Sequence, residues 1–332
     1  MTKKTFDICG AGSSIVDQQF KVTPEIIKQL KLRPNEMTLA TPKDHEHILN
    51  VLNTHNCEHI SSCGGSVTNS IVAAASLGSQ CHQLCCVAND ETGDIFLKNL
   101  TQNNISYDLS HVQQNNTPTA TCIVMVTPDG QRTMSTCLGI SSYFDASTIN
   151  LSSIEHSQYF YVEGYMVTNN FEATKTLLNH AQKNKSNIVL SLSDPWVAST
   201  FQSQLRDWCN YGIDLIFCNE AEAIAFTQTN SLTKAKEALK QYCNRYAITC
   251  GENGAILFDG NTETTSAGHC VNVIDTNGAG DIFAGTFLHQ LSQQQSFETA
   301  GNAANLAASK LVQHFGARLP KDTYKTLLNK TN

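Results

Sequence analysis

Short apolar runs that alternate with amphipathic stretches constrain this chain more tightly than any other feature of its sequence. Runs at residues 6–11, 82–87, 158–162, 188–191, 215–218 and 246–249 are four to six residues long and carry few charges. Continuous apolar runs of that length suit strands covered on both faces, as in a parallel sheet. Between them, residues 67–77, 95–103, 171–183, 221–226 and 232–242 carry helical spacing. Such alternation predicts a doubly wound α/β layer with a mostly parallel sheet over most of the chain.

Two stretches break the rhythm. Residues 119–126 and 131–138 alternate polar with apolar positions and are joined through Thr127-Pro128-Asp129-Gly130, where Asp-Gly favours a hairpin. Residues from Asp17 to Ser62 read as a strand, a short helix, a strand and another helix. Both are expected to stand outside the parallel sheet as one small lid, formed by insertions at about 13–62 and 105–141 in a single domain spanning 1–330. A lid closing over a site would exclude water from it.

At 332 residues, 41% hydrophobic and 15% charged, the chain can bury a sizeable core, which excludes disordered and coiled-coil readings. Its net charge of −7 argues against a nucleic-acid partner, which needs a basic surface. No apolar run approaches the ~20 residues of a membrane helix, and the start of the chain does not resemble a secretory signal. The thirteen cysteines form no C-x-x-C pair and many sit in apolar runs, so they are read as reduced, buried thiols of a cytoplasmic protein. The stretch containing His45, His47, His55, Cys57, His59 and Cys63 fits no standard zinc spacing and is read as a polar lid helix.

Chemistry concentrates in Ile274-Asp275-Thr276-Asn277-Gly278-Ala279-Gly280-Asp281. An apolar strand is expected to end at Ile274, and a helix to begin near Ala279. The free N–H groups of that helix start would attract an anion, and the glycines would let a phosphate approach the backbone. Asp281 would then sit in the first turn, where a carboxylate can accept the proton of an attacking hydroxyl. A simpler account has Asp275 and Asp281 capping a helix and the glycines serving a turn.

The full string Asp275-Thr276-Asn277-Gly278-Ala279-Gly280-Asp281 closely resembles the C-terminal signature of the ribokinase (PfkB) family of kinases. Gly64-Gly65-Ser66-Val67-Thr68-Asn69 resembles the family's N-terminal motif, Asn219-Glu220-Ala221-Glu222 its N-x-x-E motif, and Thr249-Cys250-Gly251-Glu252-Asn253-Gly254 its phosphate-contacting loop. Resemblance runs from Gly10 to about Pro320. Within the family it is strongest to adenosine kinases and their bacterial relatives, through Ala11-Gly12-Ser13-Ser14-Ile15-Val16-Asp17 and Tyr165. Ser13 stands where those kinases usually carry Asn, and Thr286 where Gly or Ala is usual.

The resemblance implies a ribokinase-like three-layer α/β/α fold with a small β-rich lid, and an ATP-dependent transfer to an alcohol, most simply adenosine giving AMP in purine salvage. It implies catalytic roles for Asp281 and the Gly278-Ala279-Gly280 turn. It implies substrate contacts from Ser13, Asp17, Gly64, Gly65, Asn69, Arg132 and Tyr165, and ATP contacts from Asn219, Thr249, Gly251, Gly254 and Asn305. Glu222 would hold Mg²⁺ through water. Asp275 and Asn277 occupy positions that hold a monovalent cation, K⁺, in some relatives. The partner is a small molecule, neither nucleic acid nor membrane, for a monomer or homodimer. Sugar phosphorylation (ribose, fructose or a keto-deoxy sugar acid) and nucleoside binding without catalysis remain alternatives. A dinucleotide-dependent oxidoreductase is weakened because Ile15 replaces the third glycine after Gly10 and Gly12.

Overall fold

The computed structural model describes residues 4–34, 36–112, 116–129 and 131–328. In chain order the strands are β1 (Phe6–Ala11), β2 (Ile15–Lys21), β3 (Met37–Leu39), β4 (His59–Cys63), β5 (Cys81–Cys85), β6 (Ser106–Leu109), β7 (Ala120–Val126), β8 (Arg132–Cys137), β9 (Ser157–Glu163), β10 (Asn187–Ser191), β11 (Ile213–Asn219), β12 (Arg245–Thr249), β13 (Ala255–Phe258) and β14 (Glu263–Ser266). The large sheet runs β14-β13-β12-β11-β10-β9-β1-β5-β6. It is parallel from β12 to β6, with β13 and β14 added antiparallel at one edge.

The expected strands and helices of the layer are present, with ends shifted by a few residues. β5 covers Cys81–Cys85, so Val87 lies beyond it. Strands such as β9, Ser-Gln-Tyr-Phe-Tyr-Val-Glu, are buried almost throughout because helices cover both faces. Strand order reverses at β1, which pairs with β9 on one side and β5 on the other. In open parallel sheets that reversal leaves a crevice at the carboxyl ends of the strands.

The irregular stretches build a second sheet, ordered β3-β8-β7-β2-β4. The hairpin β7–β8 is antiparallel, as its Asp-Gly turn predicts; Gly130 itself lies outside the described residues, as does Asn35. The sequence pattern of 17–62 omitted one strand, β4, whose His-Ile-Ser-Ser is exposed and shows no apolar alternation. One face of this sheet is roofed by the helices Pro24–Gln29 and Pro42–Thr54, through Phe20, Ile26, Ile48, Leu52, Ile123 and Met125. The opposite face presents Ile15, Cys122, Val124 and Met134.

His45 is buried on the roofing helix, with its ring nitrogens 3.0 Å from Thr121 Oγ1 and the Ser135 carbonyl. The described residues hold no His/Cys/Asp/Glu group able to bind a metal and no helix long and apolar enough to cross a membrane. All thirteen cysteines are free thiols, most of them buried. The strand expected to end at Ile274 is absent. Val273 and Ile274 are 55% and 58% exposed, and Ile274 N and Asp275 N donate instead to the Val312 carbonyl. Its apolar residues mimic a strand without a neighbour to pair with.

Two helices carry the chemistry-bearing motifs against the large sheet, Ser66–Ser76 and Ala279–Ser292. Gly285 faces Ser70 so closely that a Cβ there would strike the Ser70 carbonyl oxygen. One turn earlier on each helix, Asp281 meets Ser66, so the two run side by side in the same sense and both start at one end. In an ordinary helix interior, Gly→Ala stabilises by up to ~1 kcal/mol. Here Gly285→Ala is expected to destabilise by about 1–3 kcal/mol, because the helices must part. Chemical denaturation will measure it, and an unchanged or raised midpoint would refute the close crossing.

Candidate active site

A cavity of about 760 Å³ opens where the two helices start, between the carboxyl ends of the large sheet and the inner face of the small one. Asp281 lines it. Its Oδ1 accepts from Ser66 Oγ at 2.6 Å and its Oδ2 from Asn69 Nδ2 at 2.9 Å. Burial pushes the carboxyl above the usual carboxylate range, while these two bonds and the charge of Arg318 oppose the shift.

The helix Ala279–Ser292 begins after Gly278, whose φ of 72° is left-handed. Ala279 N donates to the Thr276 carbonyl at 3.2 Å, and the N–H groups that follow it in the first turn have no intrahelical acceptor. A side chain at Gly280 would meet no protein atom within 4 Å, so the backbone there can be approached at close range. The chemistry of this turn fits a phosphate.

Ser13, Asp17, Gly65 and Asn69 line the cavity. Gly64 packs directly on the Asp17 carboxylate, leaving no room for a Cβ. Burial raises the Asp17 carboxyl to about 7, against the opposing charges of Arg318 and Arg132. Glu163, 1% exposed, accepts from Ser13 N at 2.8 Å and from Val67 N at 2.9 Å, and so ties the loop after β1 to the start of the neighbouring helix. Tyr165 and Trp196 add aromatic surface, while Ile15, Met37, Leu39, Cys122, Val124 and Met134 line the side toward the small sheet.

Asn219, Glu222, Thr249, Gly251, Gly254 and Asn305 line the cavity as well. Asn219 and Glu222 form a reciprocal capping box: Glu222 N donates to Asn219 Oδ1 at 2.8 Å, and Asn219 N to Glu222 Oε2 at 3.1 Å. Glu222 is 6% exposed, and burial lifts its carboxyl to about 7. Asn305 spends its amide donors on Ser266, at 3.1 Å to the carbonyl and 2.7 Å to Oγ, which pins the end of β14 beside the cavity.

Three expected site residues, Gly64, Arg132 and Asp275, lie apart from the cavity wall. Arg132, from β8, forms an ion pair with Asp275 that joins the small sheet to the helix-start loop. Asp275 also accepts from Asn277 N at 2.7 Å and Gly316 N at 2.9 Å. Both its oxygens are thus engaged, and a monovalent cation would compete with Arg132 for the carboxylate.

Sequence reasoning passed over Ser66, Glu163 and Arg318. Ser66 was visible inside the Gly-Gly-Ser string and Glu163 two residues before Tyr165, but neither had a local pattern that announced its partner. Arg318 reaches Asn69 across 249 positions of chain, so no spacing rule could find it.

Comparison with known proteins bears on the fold and the family. The profile of the pfkB family carbohydrate kinases matches residues 40–324. Adenosine kinase 2 of Arabidopsis thaliana is 23% identical over 336 residues, spanning 95% of this chain and 96% of that protein. Among solved structures, a probable sugar kinase of Rhizobium etli superposes with a TM-score of 0.89 at 26% identity, covering 99% of this chain and 100% of the other. The adenosine kinase of Sinorhizobium meliloti does so at 0.87 and 25%, covering 98% and 99%. With a matched profile over most of its length and the ribokinase-like fold, the chain belongs to the pfkB family of carbohydrate kinases.

Proposed function

We propose that this kinase phosphorylates the 5′-hydroxyl of a nucleoside, adenosine in the first instance, with Asp281 as the general base. The observation that carries the reading is the position of Asp281. Its carboxylate stands at a helix start that fits phosphate, held by Ser66 and Asn69 in a cavity that Ser13 and Asp17 line together with Asn219, Thr249 and Gly251.

Bound MgATP supplies the transferable phosphoryl group. Thr249, Gly251, Gly254 and Asn305 would border the nucleotide, and Glu222 would reach Mg²⁺ through water. Asp17 and Asn69 would hold the sugar hydroxyls. Asp281 takes the proton as the substrate oxygen bonds to the γ-phosphorus and the bond from phosphorus to the ADP oxygen breaks. N–H groups at the helix start balance the charge on the transferring group. The small sheet acts as a lid that keeps water from competing, and Arg132 reaches phosphate only by leaving Asp275.

Apolar lining favours a nucleoside over a bare sugar. Tyr165 and Trp196, with Ile15, Leu39, Val124 and Met134, offer a flat base more contact than a polyhydroxyl ring could use. Sugar phosphorylation is the second reading, and it shares every catalytic group.

Three outcomes test these assignments. Adenosine should exceed ribose and fructose in kcat/KM when ATP consumption is followed; a free sugar ranking first would transfer the assignment to sugars and leave the kinase chemistry standing. Asp281→Asn keeps the shape of the helix start but removes the proton acceptor, so kcat should fall about 10²–10⁴-fold with ADP binding retained. Near-normal kcat in that variant would remove Asp281 from the mechanism.

The third outcome concerns pH. Asp17 and Glu222 bind protons in the folded state up to about 7, well above the unfolded carboxylate value. Their contribution to stability is therefore complete below the unfolded value and is lost as pH rises through 7. Thermal midpoints of the ligand-free protein should decline from pH 5 to 8 more steeply than those of Asp17→Asn/Glu222→Gln. Parallel slopes would show that neither carboxyl is perturbed.

A further inference from the structure

Arg318 lies outside every motif singled out in the sequence, in the connection between the helices Phe297–Leu311 and Lys321–Leu328. Its Nε donates to Asn69 Oδ1 at 2.8 Å and its Nη1 to Asn99 Oδ1 at 2.7 Å. The remaining nitrogen, Nη2, is buried without a hydrogen-bond partner among the described residues. A guanidinium only donates, so Asn69 must turn its carbonyl oxygen toward Arg318. The Asn69 amide nitrogen is then left facing Asp281 Oδ2, 2.9 Å away.

We propose that Arg318 is a positioning residue for phosphoryl transfer, fixing the orientation of Asn69 so that its amide nitrogen donates to Asp281. This rests on the reading of Asp281 as the base. Without Arg318 the amide is free to rotate, and in the reversed orientation its oxygen would face the carboxylate and repel it.

Electrostatics around the site give the same residue a second effect. The titratable groups near Asp281 are acidic or neutral: Asp17 from β2, Tyr161 and Glu163 from β9, Tyr165 just after it, and Glu222 beyond β11. Those facing Arg318 are Cys63, Asp17, Tyr324 and Asp281. Arg132, the other arginine that acts on Asp17, is paired with Asp275. Arg318 is accordingly the cation that favours the ionised form of Asp281.

The test compares Arg318→Met, Arg318→Lys and Asp281→Asn in steady-state kinetics with adenosine and MgATP from pH 5 to 9, alongside ADP titration and thermal midpoints. Arg318→Met should lower kcat about tenfold to a hundredfold and move the acid limb of kcat upward by about one pH unit, with ADP affinity unchanged. Arg318→Lys keeps the charge but not the Nε donor, so the limb should stay while kcat falls about tenfold.

Wild-type kcat and limb in Arg318→Met would overturn the proposal. So would a loss of kcat with the limb in place in that variant, which is the mark of a purely structural role. If Arg318→Met does not fold, Arg318→Lys decides, and wild-type kcat there overturns the proposal as well. Asp281→Asn separates the two readings. Near-normal kcat in Asp281→Asn defeats the base assignment itself, whereas a kcat reduced about 10²–10⁴-fold in Asp281→Asn beside a normal Arg318→Met defeats only the role of Arg318.

Discussion

The close crossing of two helices, Ser66–Ser76 and Ala279–Ser292, is the contact on which the rest of the site depends. Gly285 lets the second helix settle against the Ser70 carbonyl, and the two then run side by side in the same sense. Both N-termini open into one cavity as a result. Their dipoles add there, and the first-turn donors of one helix, Ser66 and Asn69, reach the first-turn carboxylate of the other, Asp281. A wider crossing would leave the carboxylate without these partners in a space where an unsatisfied charge is costly.

That cavity gathers several acids with few cations to offset them. Asp17, Glu163, Glu222 and Asp281 are all raised by burial, and hydrogen bonds or arginine charges oppose the rise, Arg318 and Arg132 for Asp17. Glu163 takes two backbone N–H groups, Glu222 shares a capping box with Asn219, and Asp281 leans on Ser66, Asn69 and Arg318. The ion pair of Arg132 with Asp275 adds a tie of another kind, since it joins the small sheet to the loop that starts the catalytic helix. Charge balance and closure of the small sheet over the cavity are thereby linked in the proposed mechanism.

Much of this was legible locally. Uninterrupted apolar runs marked the core strands because strands covered on both faces need no polar positions, and Asp-Gly marked the β7–β8 hairpin. Where burial is one-sided or missing, the pattern failed. β4 is exposed over His59–Ser62, and β14, Glu-Thr-Thr-Ser at the edge of the large sheet, is polar, so neither carries an apolar run that stands out. Val273 and Ile274 erred in the opposite direction, apolar in sequence yet more than half exposed. Asn219 and Glu222 matched a motif only by resemblance, and their side chains close a helix cap.

By itself the sequence determined the α/β layer, the excursion of the small sheet and the strings around Gly64 and Asp281, because each depends on the periodicity or turn chemistry of neighbouring residues. Only the tertiary structure decided which distant groups meet. Asp281 and Asn69 are 212 positions apart, Arg318 and Asn69 249, and Ser13 and Glu163 150. Such pairings follow from strand order and helix crossing, and no residue carries in its own neighbourhood a signal of the partner that packing will bring to it.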